Sequence, residues 1–227
     1  MERISVAIDG PGGAGKSTAA KALAARFGFA YVDTGAIYRT IGLAVQRAGA
    51  SPESEDEVAP VLRAARVELD YDCSGRQHML LDGENVSGAI RLPEISAYAS
   101  KVSALPIVRD ALLELQREQA RLRSVVMDGR DIGTVVLPDA DLKVFLTATP
   151  EVRARRRWEE LRQRGTPQEY EQVLREMQER DLRDSTRAVA PLKPAPDAVL
   201  IDSSDLSLEQ VVDVLSNLVK GKLGGDR

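Results

Sequence analysis

The chain has 227 residues, of which 43% are hydrophobic and 29% charged, with a formal net charge of −4. That length suits one α/β domain, or one with a modest insertion, and that composition can fill a packed core. An acidic balance argues against a general nucleic-acid surface, and with no apolar run near 18 residues and no secretory leader pattern the protein is expected to be soluble and cytoplasmic, with no membrane partner.

The elements alternate from the start. Residues 4–8, Ile-Ser-Val-Ala-Ile, predict a strand, and 17–27 an Ala-rich helix. A short strand at 30–32 ends at Asp33. A helix follows over 35–47, with Ile37, Ile41, Leu43 and Ala44 on recurring turns. Between 50 and 105 the alternation breaks. A helix at 55–66 leads to strands at 67–71, 77–81 and 84–86, with Asp82-Gly83 as a hairpin signal, so a small antiparallel sheet is expected as an insertion. The alternation resumes with strands at 125–127 and 142–146 and a helix at 150–164. Thr166 with Glu169 reads as a capping box opening a helix to about Arg183. A last strand is expected at 198–201, then a helix to about Lys220 capped by Ser207 and Gln210, and a frayed tail over 221–227. Five short apolar strands separated by helices imply a parallel sheet covered on both faces.

Residues Gly10-Pro11-Gly12-Gly13-Ala14-Gly15-Lys16-Ser17, followed by Thr18, form a complete G-x-x-x-x-G-K-S phosphate-binding loop between the first strand and first helix. Glycines let successive backbone N–H groups turn inward around an anion, and the helix that opens there adds its positive end. Lys16 would reach the β- and γ-phosphates of ATP, and the Ser17 hydroxyl would ligate Mg²⁺. The single cysteine, Cys73, can form no internal disulfide. The single histidine, His78, has no Ser, Cys or metal-ligand pattern around it. Neither zinc chemistry nor a histidine-based triad is therefore expected.

Ligands of open α/β sheets sit beyond the carboxyl ends of the strands. Two segments there lead from Asp to Arg: Asp33-Thr34-Gly35-Ala36-Ile37-Tyr38-Arg39, and Asp128-Gly129-Arg130-Asp131-Ile132-Gly133-Thr134. On the edge that carries the phosphate loop they suggest a second anion site; each alone is also compatible with an ordinary capped helix start. A phosphate-monoester acceptor, with a second pKa of about 6, is already mostly a dianion and needs no general base. Its obstacle is repulsion between anions, which fixed guanidinium groups relieve, and Arg39, Arg130, Arg180 and Arg187 fit that need. Six arginines lie between Arg153 and Arg164. They read either as a lid that closes over ATP and supplies charge to the transition state, or as a solvated face paired with Glu159 and Glu160.

On these motifs, and on Asp82 to Ser87, Ser100 to Arg109, Glu179-Arg180-Asp181 and Asp184 to Pro191, the chain resembles the bacterial cytidylate kinases among the phosphate-loop nucleoside monophosphate kinases. The Asp-Gly-Arg-Asp-x-Gly-Thr and Arg-Ala-Val-Ala-Pro-Leu runs are the most specific. The resemblance implies an α/β, three-layer phosphate-loop core with a five-stranded parallel sheet, a helical lid and a small antiparallel insert that binds the monophosphate. The whole is a single kinase domain, 1–227, with core over 1–49 and 106–227, lid about 150–187 and insert about 50–105. It implies transfer of the γ-phosphoryl group of MgATP to CMP or dCMP, by a monomer. Thr34 stands where many members have Ser. Ser100, Arg109 and Asp131 would read the cytosine edge, and Arg180 and Asp184 the ribose. Arg39, Arg130 and Arg187 would hold the acceptor phosphate, and Lys16, Arg130, Arg157 and Arg187 would carry catalysis, with Arg157 also on ATP. The alternatives left by the phosphate loop are a small-molecule kinase acting on an alcohol, such as a shikimate-like or nucleoside kinase, and a nucleotide switch. The guanine-reading Asn-Lys-x-Asp motif of GTP switches and the Leu-Ser-Gly-Gly-Gln signature of transporter ATPases are both absent.

Overall fold

Strand β1 (Ser5–Asp9) has Val6, Ala7 and Ile8 wholly buried, because it is paired on both sides. In a computed structural model describing residues 3–224 it runs parallel to β6 (Val125–Gly129) and to β7 (Leu142–Thr147), and β7 runs parallel to β8 (Val199–Asp202). With β2 (Ala30–Asp33) the sheet has five strands in the order β2-β6-β1-β7-β8. Strands buried on both faces need continuous apolar runs, which Val125-Val126-Met127 and Val6-Ala7-Ile8 supply. The register places Asp9 opposite Gly129 on one side and Phe145 on the other. The carboxyl ends of the central strands thus share one edge, where the α/β rule puts ligands.

Two compact units are present. One runs through Phe29 and resumes at Ser124; the other is Ala30–Arg123. In the first unit, α1 (Lys16–Phe27) packs on β6 and on α8 (Leu208–Gly224). Helix α6 (Pro150–Gln163) packs on α7 (Tyr170–Thr186) around Ala154, Leu161 and Val173. The Ser207–Gln210 box forms as expected: Ser207 Oγ accepts from Gln210 N at 3.2 Å, and Gln210 Oε1 accepts from Ser207 N at 2.8 Å.

Two local expectations are corrected. Thr166 does not open α7: its N–H and hydroxyl both donate to Leu161 O, so it closes α6, and α7 starts at Tyr170. The expected frayed tail is helical through Gly224, with 225–227 outside the described residues. No helix among the described residues is long and apolar enough to cross a membrane.

In the second unit, α2 (Thr34–Arg47) is capped by Asp33, whose Oδ1 accepts from Ala36 N at 2.9 Å. Helix α3 (Glu55–Ala64) leads to the antiparallel strands β3 (Val67–Tyr71), β4 (Gln77–Leu81) and β5 (Glu84–Asn85). Asp82 and Gly83 both have positive φ, 52° and 84°, as a tight hairpin between β4 and β5 requires. Helices α4 (Pro93–Val102) and α5 (Pro106–Leu122) complete the unit and are not expected from the sequence pattern; each opens on a proline. Helix α2 approaches α4 so closely that a Cβ on Gly42 would lie 2.9 Å from Ala99 N. Ile37, Ile41, Ile95, Val102 and Leu112 fill the core between these helices.

Candidate active site

The phosphate loop is shaped by three glycines with positive φ, at Gly10 (145°), Gly13 (75°) and Gly15 (89°). A Cβ at Gly10 would fall 1.9 Å from Leu146 O, and one at Gly13 would fall 2.8 Å from Met177 Cε. Gly15 caps α1 in the left-handed conformation with no side chain bonded to the helix end, which leaves the first amides of α1 for an anion. Lys16 is buried and its Nζ donates to Pro11 O at 2.7 Å. Burial, then the Arg130 guanidinium, hold its ammonium well below the ordinary lysine range, against the attraction of Asp128 and Asp9. The Ser17 hydroxyl donates to Asp128 Oδ2 at 2.7 Å.

Asp9, at the end of β1, accepts from two backbone donors, Ile132 N and Gly133 N, both at 2.8 Å. These belong to a wide π-type turn over Ile132–Val136. Burial pushes the Asp9 carboxyl up to about 6; the two amide bonds and Lys16 oppose the rise, and the Asp131 charge adds to it.

Beside the loop lies a network of arginines and carboxylates. Arg130 Nε donates to Asp184 Oδ2 at 3.0 Å, and a Cβ on Gly12 would lie 3.6 Å from its Nη2. Arg180 Nε is 3.8 Å from the same Asp184 oxygen. Arg187 Nη2 is 3.5 Å from Asp131 Oδ1, with both side chains 5% exposed. Burial pushes the Asp184 carboxyl up, but Arg130, Arg180 and Arg187 outweigh it and hold the group below its ordinary value.

The arginines of α6 separate by direction. Arg153 points inward and is bonded through all three nitrogens: Nε donates to Ala148 O at 2.9 Å, Nη1 to Gly12 O at 3.0 Å and Nη2 to Asp181 Oδ2 at 2.6 Å. Arg156 holds Ser203 through its carbonyl at 2.7 Å and hydroxyl at 3.1 Å. Arg157 pairs with Glu160 on its own helix at 2.8 Å, and Arg164 joins the same carboxylate. Next to the loop is a cavity of about 250 Å³, lined by Ala14, Gly15, Thr18, Ala19, Leu146, Arg156, Ser203, Leu206, Leu208 and Val211. Arg156 lines it; Arg157, expected on ATP, does not.

In the second unit, Asp33 carries two contacts: Oδ1 caps α2, and Oδ2 pairs with Arg39 Nη2 at 2.9 Å. Thr34 is buried at the first position of α2. Ser100 is buried on α4. Arg109, buried on α5, donates to Ser103 O at 3.1 Å and lies over the Tyr38 ring, 5.5 Å from its centroid. Cys73 is exposed, and His78 Nε2 is bonded to Asp72 at 3.0 Å.

Against known proteins, the chain matches the family described as "Cytidylate kinase" over residues 6–221. It is 48% identical over 218 residues to a cytidylate kinase of Caldicellulosiruptor bescii, covering 96% of each chain. The chain belongs to the cytidylate kinase family. A cytidylate kinase of Desulfitobacterium hafniense is 49% identical over 222 residues, covering 98% of this chain and 95% of that one. One of Mycobacterium avium is 50% identical over 218 residues, covering 96% and 95%.

Within this cytidylate kinase framework, four charged residues with structural weight are not singled out from the sequence as site residues. Asp128 meets Ser17, Asp9 holds the turn after Arg130, and the Arg153–Asp181 pair joins α6 to α7 and to the loop carbonyl of Gly12. For Asp9 and Asp128 a signal exists in the sequence: each is a lone acidic residue ending an apolar strand.

Proposed function

We propose that the protein transfers the γ-phosphoryl group of MgATP to CMP or dCMP, yielding the diphosphate and ADP, as a cytoplasmic monomer. The observation that carries this reading is the position of Arg130. Its guanidinium lies against Gly12 of the phosphate loop while bonded to Asp184, so one cation faces both the donor loop and the network proposed for the acceptor.

The donor phosphates would take the loop amides and Lys16 Nζ, which would leave its present partner, Pro11 O. Lys16 is fit for this because its buried charge lacks water and gains most from an anion. The cavity beside Thr18 and Arg156 is the place for the donor base. Ser17 Oγ and Asp128 Oδ2 converge as two hard oxygen donors, a set that fits Mg²⁺, which binds through one or two protein oxygens and phosphate. When bound, Mg²⁺ supplies neutralising charge to the transferring phosphoryl oxygens.

No carboxylate of the network stands alone as a base: Asp128 meets the Ser17 hydroxyl, Asp131 meets Arg187, and Asp184 meets Arg130. An acceptor that is already a dianion suits this arrangement better than an alcohol that must lose a proton. In the reading implied by the resemblance, Arg39, Arg130 and Arg187 take the acceptor phosphate, and Arg180 and Asp184 the ribose. Ser100, Arg109 and Asp131 take the base end, and Thr34 is a further acceptor-side contact. A carboxylate accepting from the exocyclic amine and a guanidinium donating to the ring favour cytosine over uracil.

The test is ADP release with MgATP and separate acceptors: CMP, dCMP, UMP, AMP and shikimate. Fast turnover with CMP and dCMP and slow turnover with UMP is expected. Phosphorylation of shikimate with CMP ignored would overturn the reading, and so would activity with all monophosphates alike.

A further inference from the structure

The inserted sheet ends in a pair of polar side chains on the face that carries Met79 and Leu81. Tyr71, the last residue of β3, and Gln77, the first of β4, are cross-strand partners. Both reach β2. The Tyr71 hydroxyl donates to Tyr31 O at 3.4 Å. The Gln77 side-chain amide takes both backbone groups of Asp33: its Oε1 accepts from Asp33 N at 2.7 Å and its Nε2 donates to Asp33 O at 3.3 Å. A side-chain amide bonded to both the N–H and the C=O of one residue fixes that residue's peptide planes as a β-bridge would. Met79 supports it, with its sulfur 3.1 Å from Gln77 Nε2.

Asp33 is the residue whose carboxylate divides between the α2 cap and Arg39. The pair sits in a tight place: a Cβ on Gly35 would lie 3.0 Å from Arg39 Nη1 and 3.2 Å from Asp33 Oδ1. Arg39 Nε is buried without a partner, so the guanidinium is held through Nη2 and by the shape of the Asp33–Gly35 turn. A rotation of the Asp33 backbone would move the carboxylate, and with it the ion pair that aims Arg39.

We propose that Gln77 is a positioning residue for the acceptor. It locks Asp33, and through Asp33 the aim of Arg39, so that the inserted hairpin sets how well the acceptor phosphate is held. The proposal rests on the reading of Arg39 as an acceptor-phosphate ligand. It assigns a function to the insert beyond covering the base: the hairpin end is a brace for a phosphate-binding guanidinium.

The experiment is a double-mutant cycle read as KM for CMP and KM for ATP in the full-length protein, with Gln77→Ala, Arg39→Ala and the pair. Losing the two amide bonds is expected to raise KM for CMP about five- to tenfold, with KM for ATP within about twofold. In the Arg39→Ala background, Gln77→Ala should add no further rise in KM for CMP, because its effect passes through the missing side chain. Additive rises in the double variant, or equal rises for CMP and ATP in the single one, would reduce Gln77 to a structural residue and overturn the proposal. An Arg39→Ala variant with unchanged KM for CMP would defeat the Arg39 reading itself, and the proposal with it. Should Gln77→Ala not fold, Gln77→Met keeps the chain length and the packing on Met79 and must show the same non-additive pattern.

Discussion

The Ser17 hydroxyl and the Asp128 carboxylate, 111 residues apart in the chain, are 2.7 Å apart in space. The contact follows from two local facts. Ser17 lies in the first turn of α1, and Asp128 lies near the end of β6, which is paired to β1 just before the loop. Asp128→Asn keeps an acceptor for the hydroxyl and removes the charge. It is expected to raise the Mg²⁺ concentration needed for half-maximal rate about 10- to 100-fold. Magnesium titration of turnover at saturating nucleotide measures this; an unchanged midpoint would remove Asp128 from the metal's surroundings.

Arg130 stands between the loop and Asp184, and its loss should be felt unevenly. Arg130→Met is expected to raise KM for CMP about 10- to 100-fold, the range for losing a charged hydrogen-bonded contact, and to leave KM for ATP within about threefold. Steady-state kinetics with each nucleotide varied in turn decides the matter. Equal losses for both nucleotides would remove the acceptor-side preference assigned to Arg130. The same variant deprives Asp184 of the first of the cations that keep its acidity high.

Asp9 links pH to stability. Its carboxyl titrates near 6 in the folded chain against 3.8 for the free group, so the folded state holds the proton more tightly. The stabilisation is complete below about pH 4 and is lost as pH rises through 6, amounting to about 3 kcal/mol for a shift of about two units. Urea unfolding at several pH values should show this falling contribution in the wild-type chain and its absence in Asp9→Asn. Parallel pH curves for the two proteins would contradict it.

Arg153 is 4% exposed, and each of its three guanidinium nitrogens bonds to a protein oxygen. Its work is structural and local to the loop. Arg153→Met is expected to lower unfolding free energy by about 2 kcal/mol or more, below the full figure for a buried pair because Asp181 is partly exposed, and to weaken ATP through the released Gly12 carbonyl. Denaturant midpoints and KM for ATP read the two effects separately.

The parts of this molecule that sequence makes legible are those specified within a few residues. The phosphate loop depends on glycines at fixed spacing. The Asp82-Gly83 hairpin depends on two residues that accept positive φ, and the Ser207 box on one residue three positions later. The Thr166 pattern failed as a start signal because the same hydroxyl can finish the preceding helix, and Leu161 O lies within its reach. The partners of Asp9, Asp128 and Arg153 were not legible. Apart from Ala148, which is local to Arg153, each lies between 28 and 141 residues away, and only strand register and helix packing bring them together. The run Arg153 to Arg157 shows the same limit: composition marks a basic stretch, while the turn of the helix decides that Arg153 faces in and Arg157 meets Glu160.

Gly10 has no room for a side chain because the carbonyl of Leu146 occupies the space. The loop that would hold the nucleotide is therefore seated on β7, and it takes its shape only where β1 and β7 are already in register. Nucleotide binding and completion of the sheet become one thermodynamic event. A ligand at about a hundred times its Kd adds about 2.7 kcal/mol to whatever must unfold to release it. Here that is the central strand pairing and not a surface loop, so occupancy by nucleotide and resistance of the whole unit to proteolysis should rise and fall together.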